Sequence, residues 1–152
     1  MNTDHARPQV SAGAIIRDEQ GRVLIVKPTY RERWNLPGGR INTGEIPSQA
    51  CRREIHEELG LDLNVGRLLA TAYFVLPDGT AHVYFGFDGG LVSAIEQRSI
   101  RIQEAEIEQF RFAAPEEISP DDIPPIVRPL WEAALKALTS GDQLFLEVDT
   151  RK

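Results

Sequence analysis

The sequence predicts an α/β fold in which a mixed β-sheet is layered with helices. Apolar and β-branched segments fill much of the first 90 residues, a Glu-rich helical segment interrupts them, and an amphipathic helical segment follows near the end. Strands on both sides of one helix, with a second helix after them, are typical of a layered α/β domain. With 152 residues the chain has room for one domain, which we place at 1–152.

Six strands are expected from alternating or β-branched segments. Turn-like tetrapeptides at 18–21 and 77–80 each join two of them into a hairpin. The last strand would be terminal, at 143–148. The other five are Val10–Arg17, Arg22–Lys27, Leu68–Leu76, Ala81–Phe87 and Gln109–Ala113.

Two helices are expected. In Pro47–Leu59, proline occupies the first turn and Gly60 follows where a C-terminal cap prefers glycine. In Ile126–Leu138, apolar residues recur at helical spacing, which predicts a core-facing helix rather than a ligand site.

Composition restricts the partners and the location. The net charge of −6 argues against general nucleic-acid or anionic-membrane binding, but it allows a phosphorylated substrate if a cation bridges protein and ligand. No apolar run approaches the ~20 residues that cross a bilayer. Residues 1–8 lack the apolar core of a secretory signal and are expected to be a disordered tail, which favours a cytoplasmic location. The single cysteine, Cys51, excludes an internal disulfide and the common zinc spacings.

Three glutamates share one side of the helix Pro47–Leu59. Glu54, Glu57 and Glu58 stand at i, i+3 and i+4 and fall within an arc of ~100°. Like charges at this spacing destabilise a helix by roughly a few tenths of a kcal/mol per pair. A hard divalent cation with oxygen ligands would compensate them, whereas a solvated acidic face is the alternative.

Glycines precede this helix. Gly38 and Gly39 allow sharp turning and close approach to a ligand. Gly39 and Gly44 have the glycine spacing of a P-loop, but Glu45 and Ile46 stand where that motif needs Lys and Ser or Thr. A P-loop is therefore excluded.

The pattern from Gly39 to Leu61 resembles the Nudix box, G-x5-E-x7-R-E-U-x-E-E-x-G-U with U aliphatic. Gly39, Glu45 and the run Arg53-Glu54-Ile55-His56-Glu57-Glu58-Leu59-Gly60-Leu61 match every defined position, and Leu36-Pro37-Gly38 before them is also usual in that family. The chain is therefore similar to single-domain Nudix hydrolases. This resemblance implies a Nudix-type α/β/α sandwich with a mixed β-sheet.

The resemblance also implies an activity. Nudix hydrolases cleave a diphosphate bond in a nucleoside diphosphate linked to another moiety, with Mg²⁺ or, as a substitute, Mn²⁺. By position, the metal ligands would be Glu57 and Glu58, then Glu54 directly or through water, and the Gly39 carbonyl.

Three further box residues would support this centre. Arg53 would orient the glutamates through salt bridges and would also engage Glu45. Gly60 would end the helix.

The base that accepts the proton of the attacking water is, in this family, a box glutamate or a glutamate on a later loop. Glu57 is the candidate in the box. On the later acidic segment we choose Glu106 first and Glu104 second, with Glu108 following them. An exposed acidic loop without a catalytic role is the alternative.

The substrate is less constrained than the reaction. Trp34, Arg33 and Tyr73 are candidates for substrate binding, although packing and solvation also explain them. Pro77 lies near the place where ADP-ribose pyrophosphatases carry a proline, but it also opens a turn. ADP-ribose, nucleotide sugars, dinucleoside polyphosphates and nucleoside triphosphates remain candidates.

Two other functions stay open. A non-hydrolytic Nudix sensor would bind nucleotides without cleaving them, and an isoprenyl diphosphate isomerase would usually carry a degenerate box in a longer chain. A homodimer is also expected from the resemblance, with the apolar segment 144–146 as a contact.

Overall fold

The structure is a computed structural model that describes residues 4–151. Its strands are β1 Gln9–Arg17, β2 Val23–Pro28, β3 Gly38–Arg40, β4 Leu68–Val75, β5 Ala81–Leu91, β6 Ile107–Ala113 and β7 Leu144–Asp149. Its helices are α1 Pro47–Leu59, the single turn α2 Ala94–Gln97, and α3 Arg128–Ser140. Short 3-10 helices at Pro115–Glu117 and Pro120–Asp122 lead towards α3.

The strands form one mixed sheet with the order β6-β2-β1-β5-β4-β7, and β3 pairs with the free part of β1. The pairs β1–β5 and β4–β7 are parallel, and the remaining pairs are antiparallel. The fold class predicted from the sequence is confirmed.

Helices cover both faces of the sheet, with α1 on one and α3 on the other. On the α1 side, Cys51, Ile55 and Leu59 join a buried cluster with alternate residues of β1 such as Ala14 and Ile16. The intervening residue Ile15 belongs to a second cluster, on the α3 side, with Leu130 and Trp131. Strand β1 is apolar on both faces because each face lies beneath a helix.

Several boundaries differ from those expected. Strand β3 and helix α2 were not expected, and β5 continues through Asp88, Gly89 and Gly90 as far as Leu91. Helix α3 begins at Arg128, two residues later than expected, after a turn in which Val127 donates its N–H to the Pro124 carbonyl. Residues 4–8 precede the first strand, whereas residues 1–3 of the expected disordered tail lie outside the described part of the chain.

No helix within residues 4–151 combines the length and the apolar character that a membrane span needs.

Candidate active site

Helix α1 holds its three glutamates at different depths. Glu58 is buried, with 7% of its surface exposed, Glu54 is half-buried and Glu57 is exposed. The helix starts at Pro47 and ends at Gly60, which adopts φ 70° and donates its N–H to the His56 carbonyl at 2.8 Å. Gly60 thus supplies the left-handed conformation that closes a helix.

The carboxylate of Glu58 contacts strand β3 directly. Its Oε1 accepts a hydrogen bond from the Gly38 N–H at 2.9 Å. Burial raises the pKa of Glu58 to about 8, and the negative charges of Glu54, Glu106 and Glu57 add to that shift. This pKa indicates a carboxyl group that needs a compensating positive charge to ionise at neutral pH.

Glu54 lies against Gly39. A Cβ atom at Gly39 would overlap the Glu54 carboxylate, so a residue with any side chain would displace that carboxylate. Burial also raises the pKa of Glu54, against the opposing influence of Arg53. The glycine therefore brings the β3 backbone and the carboxylate into direct contact.

Arg53 joins these acids into one network. Its Nε and Nη2 bind the two Glu45 oxygens at 2.7 and 2.9 Å, a bidentate pair. Its Nη1 lies 3.0 Å from Glu54 and 3.2 Å from Glu57. Its Nη2 also donates to the Arg40 carbonyl at 2.9 Å, which ties α1 to β3. These hydrogen bonds lower the pKa of Glu45.

The three glutamates of the later acidic segment lie in different environments. Glu106 is close enough to Glu54 and Glu58 for its charge to raise the pKa of both groups. Glu108 instead pairs with Lys27, at 2.7 Å. Glu104 is exposed on the loop before β6. Of the three, Glu106 is the one whose charge acts on the box glutamates.

The carboxylate oxygens of α1 and the nearby backbone carbonyl suit a hard cation, although the carboxylates already contact other protein groups. Carboxylates and a backbone carbonyl are the ligands that Mg²⁺ prefers. Within residues 4–151, however, no group of three or more His, Cys, Asp and Glu side chains is arranged to hold a metal ion. Arg53 instead donates hydrogen bonds to Glu54 and Glu57, and the Gly38 N–H donates to Glu58.

A cavity of about 380 Å³ adjoins strand β3. It lies between the start of β1, the hairpin β4–β5 and the segment before α3. None of its lining residues is Asp or Glu, whereas Arg31 and Arg40 line it. The other residues that line it are Gln9, Ser11, Tyr30, Asn35, Leu36, Gly38, Gly39, Phe74, Leu76, His82, Tyr84, Pro124, Ile126 and Val127.

The residues predicted to bind substrate lie outside this cavity. Trp34 packs on the core with Arg111 over its ring at 5.0 Å, and Arg33 is exposed. Tyr73 lines a separate depression beside Glu147. Pro77 lies in the β4–β5 turn and does not line the cavity.

The lining residues that sequence reasoning missed carry no common motif. Ser11 and His82 stand on neighbouring strands and hydrogen-bond at 2.9 Å, yet 71 residues separate them in the chain. Tyr84 follows two positions after His82 on β5. The one sequence feature that could have indicated these residues is the alternation of polar and apolar residues at the start of β1 and β5.

Replacing Glu58 by Gln is expected to remove a pH dependence from the stability of the metal-free protein. Because folding raises the pKa of Glu58 from 4.5 to about 8, the unfolded chain ionises first and the unfolding free energy falls as the pH rises between these values. The loss is up to about 1.4 kcal/mol per pH unit. Urea unfolding in EDTA at about pH 5 and about pH 8 should show a smaller decrease for Glu58→Gln than for the wild type. Equal decreases would contradict a buried, protonated Glu58.

Part of the chain is similar in sequence to curated proteins. RNA pyrophosphohydrolases of Pseudomonas aeruginosa and Yersinia pestis are 40% and 41% identical to the chain over 70 and 71 residues. These segments cover 46% and 47% of this chain and 43% and 39% of the relatives. The match thus spans less than half the length of these curated proteins.

Solved structures share the fold. A MutT protein from Methanosarcina mazei Go1 superposes with a TM-score of 0.74 at 24% identity, over 90% of this chain and 99% of that one. A NUDIX hydrolase from Nitrosomonas europaea gives 0.71 at 24%, over 91% and 93%. A MutT NUDIX hydrolase from Burkholderia pseudomallei gives 0.64 at 27%, over 85% and 97%.

A family model described as NUDIX domain matches residues 7–133, which is most of the 152-residue chain. This match confirms the resemblance to the family that the box predicted. The chain belongs to the NUDIX domain family.

Proposed function

We propose that the protein is a Mg²⁺-dependent pyrophosphohydrolase that cleaves a diphosphate bond in a nucleotide derivative, with Mn²⁺ as a substitute ion. One observation carries the proposal: a cluster of partly buried carboxylates on α1 meets, across the Gly38–Gly39 backbone, a cavity without acidic residues. Phosphate oxygens placed beside such carboxylates need a cation between them.

The proposed ligands of the cation are Glu54, Glu57 and Glu58 with the Gly39 carbonyl. When bound, the cation would neutralise phosphate oxygens and lower the pKa of water. Arg53 would keep the carboxylates together through its contacts with Glu54, Glu57 and Glu45. Since Arg53 is saturated by protein acceptors, it acts as a positioning residue rather than as a substrate contact.

Glu106 is the proposed base that takes the proton from the attacking water. It is exposed, and its charge acts on Glu54 and Glu58. A carboxylate in this position can accept a proton without being one of the α1 ligands. Glu57 in the box is the alternative base.

A Glu106→Gln substitution is expected to lower kcat by about 10²-fold or more, with a smaller effect on KM, because it removes a proton acceptor and keeps the side-chain shape. The matched control is Glu104→Gln on the same loop, for which we expect nearly wild-type kinetics. Steady-state rates across pH test both variants. If Glu104→Gln lost activity and Glu106→Gln kept it, the assignment of the base would be wrong.

The cavity supports a nucleotide as the substrate. Its aliphatic and aromatic walls fit a nucleoside, and the guanidinium groups of Arg31 and Arg40 favour negative charge. The relatives named RNA pyrophosphohydrolase add a triphosphorylated RNA oligonucleotide to the candidates, alongside ADP-ribose, nucleotide sugars, dinucleoside polyphosphates and nucleoside triphosphates.

Incubation with Mg²⁺ and this panel, followed by chromatographic identification of the products, tests the proposed function. Release of a nucleoside monophosphate, or of pyrophosphate from the RNA, that EDTA abolishes would support it. Absence of cleavage, combined with a ligand-induced rise in Tm, would favour the non-hydrolytic sensor instead.

Location and assembly are further parts of the proposal. A cytoplasmic location fits a nucleotide substrate. A homodimer is supported by the edge position of β7, where Phe145 is 64% exposed. Light scattering of the eluted protein would detect a dimer.

A further inference from the structure

We propose that the cavity beside β3 holds a phosphate group of the nucleotide, and that His82 takes up a proton from solvent when this group binds. The phosphate would therefore bind more tightly at lower pH. The inference rests on the proposed function for the nucleotide, and it goes beyond that function by assigning roles to Ser11 and His82. It is carried by the register of the sheet, the charges of the lining and one hydrogen bond.

The register brings the polar lining residues to one face of the sheet. Ser11 of β1 lies opposite Arg40 of β3 and Tyr84 of β5. Two positions earlier, Gln9 of β1 lies opposite His82 of β5. Residues that oppose each other on neighbouring strands, and residues two apart on one strand, point to the same face. Side chains of three strands thus open into one cavity.

The lining of the cavity is positively charged, although the chain carries a net charge of −6. Arg31 and Arg40 line it, and no carboxylate within residues 4–151 forms a salt bridge with either arginine. Arg40 donates from Nη2 to Gln9 at 2.9 Å, and the Cζ atom of Arg31 lies 5.3 Å from the centre of the Tyr30 ring. Neither contact neutralises a charge, so an anion is the ligand that this lining favours.

The half-buried ring of His82 lies beside these arginines. Its centroid is 6.5 Å from that of Phe74 and 6.4 Å from that of Tyr84. Burial, and after it the charges of Arg40 and Arg31, lower the pKa of His82, which keeps the ring uncharged at neutral pH. A phosphate in the cavity would offset the two positive charges and favour the protonated ring.

The other elements around the cavity contribute no acidic group and no second group that titrates near neutral pH. Strand β1, strand β4 and the segment 124–127 place only uncharged side chains in the lining. The remaining titratable groups of the lining are the phenols of Tyr30 and Tyr84. Burial raises the pKa of Tyr84, so its hydroxyl keeps its proton. Among the described lining residues, His82 is therefore the group whose charge can change on binding.

Ser11 links the proton of His82 to the ligand. Its Oγ lies 2.9 Å from His82 Nε2, and the residue lines the cavity while only 6% exposed. An uncharged imidazole can accept the serine hydrogen at Nε2, whereas a protonated imidazole donates from both nitrogens. After protonation Ser11 accepts from His82, and its own hydroxyl hydrogen turns to another acceptor, such as a phosphate oxygen. Protonation thus supplies a charge and a donor at the same place.

Titration of the histidine rings by NMR in EDTA tests the inference without a metal ion or hydrolysis. Sodium sulfate is the first probe, because it is a tetrahedral dianion that does not titrate near neutral pH, and sodium chloride at equal ionic strength is the reference. We expect sulfate to move the titration of His82 to higher pH, and its affinity to be at least about tenfold greater at about pH 5 than at about pH 8. His56, exposed on α1, should titrate alike in both salts. An unchanged His82 titration, or an equal response of His56, would overturn the proposal.

Two cavity variants and one control locate the anion. Arg40→Gln should weaken sulfate binding and reduce the response of His82. Ser11→Ala removes the hydroxyl and keeps every charge, so it should weaken sulfate binding more at low pH than at high pH. Arg33→Gln removes the same charge as Arg40→Gln from an exposed residue outside the lining, and it should keep the wild-type response. A response that neither cavity variant changes would overturn the assignment.

Mononucleotides distinguish a nucleotide from a free anion as the occupant. The four common ribonucleoside monophosphates are compared with their nucleosides and with inorganic phosphate, again in EDTA. We expect at least one monophosphate to move the His82 titration at a lower concentration than inorganic phosphate does, and its nucleoside to leave the titration unchanged. If no monophosphate acted at a lower concentration than inorganic phosphate, the assignment to a nucleotide would be wrong.

The cleavage assay separates this inference from the proposed function. Mg²⁺-dependent cleavage of a panel compound, without a response of His82 to sulfate, would support the function and overturn the inference. A response of His82 to sulfate, without cleavage of any compound, would overturn the function and retain the anion site.

Discussion

Replacing Glu57 by Gln is expected to lower kcat by at least about 10²-fold, whether the carboxylate acts as a metal ligand or as the base. The substitution keeps the side-chain shape and removes a negative charge from the α1 cluster. Glu57 is exposed, so the fold should survive the change. Kinetics at saturating substrate and Mg²⁺, with circular dichroism for the fold, measure both parts.

Glu147→Gln on β7 is the matched control, because Glu147 is exposed on an edge strand away from α1. It removes the same charge and should keep full activity. Full activity of Glu57→Gln would contradict the proposed site, whereas an equal loss in both variants would point to net charge instead of position.

Replacing Arg53 by Lys should lower kcat/KM by about 10- to 100-fold, the range found when an outer partner of a metal ligand is removed. Lys keeps the charge but cannot form the paired bonds to Glu45 at 2.7 and 2.9 Å while also reaching Glu54 and Glu57. The three carboxylates would lose their common neighbour. A higher Mg²⁺ requirement should accompany the loss, and titration of activity with Mg²⁺ measures it.

Arg52→Lys is the control on the neighbouring residue. Arg52 is exposed and pairs with Asp62 at 2.6 Å, away from the box glutamates. We expect unchanged Mg²⁺ dependence for this variant. Should Arg53→Lys behave in the same way, the proposed positioning role of Arg53 would be refuted.

Local signals in the sequence predicted α1 from end to end. Pro47 fits the first turn of a helix, and Gly60 takes the positive φ that ends it, so both boundaries depend on single residues. The box spacing likewise placed Glu54, Glu57 and Glu58 on one side of the helix. In the structure Arg53 contacts Glu54 and Glu57, and Glu58 accepts from the Gly38 N–H. These features depend on neighbours in the chain.

Features that depend on distant residues were missed. Strand β3, Gly38–Arg40, has no side-chain propensity for a strand and exists because β1 offers it an unpaired edge. The cavity joins Ser11, Asn35 and His82, which come from three separate segments. Trp34, in contrast, had the right chemistry for a base but packs beneath Arg111.

Binding of Mn²⁺, followed by electron paramagnetic resonance, tests the central claim most directly, because it detects the cation at the α1 carboxylates without a substrate. We expect the wild type and Glu147→Gln to bind Mn²⁺ in competition with Mg²⁺, and Glu57→Gln and Glu58→Gln to bind it at least about tenfold more weakly. Equal Mn²⁺ binding by all four proteins would contradict a cation site formed by these glutamates.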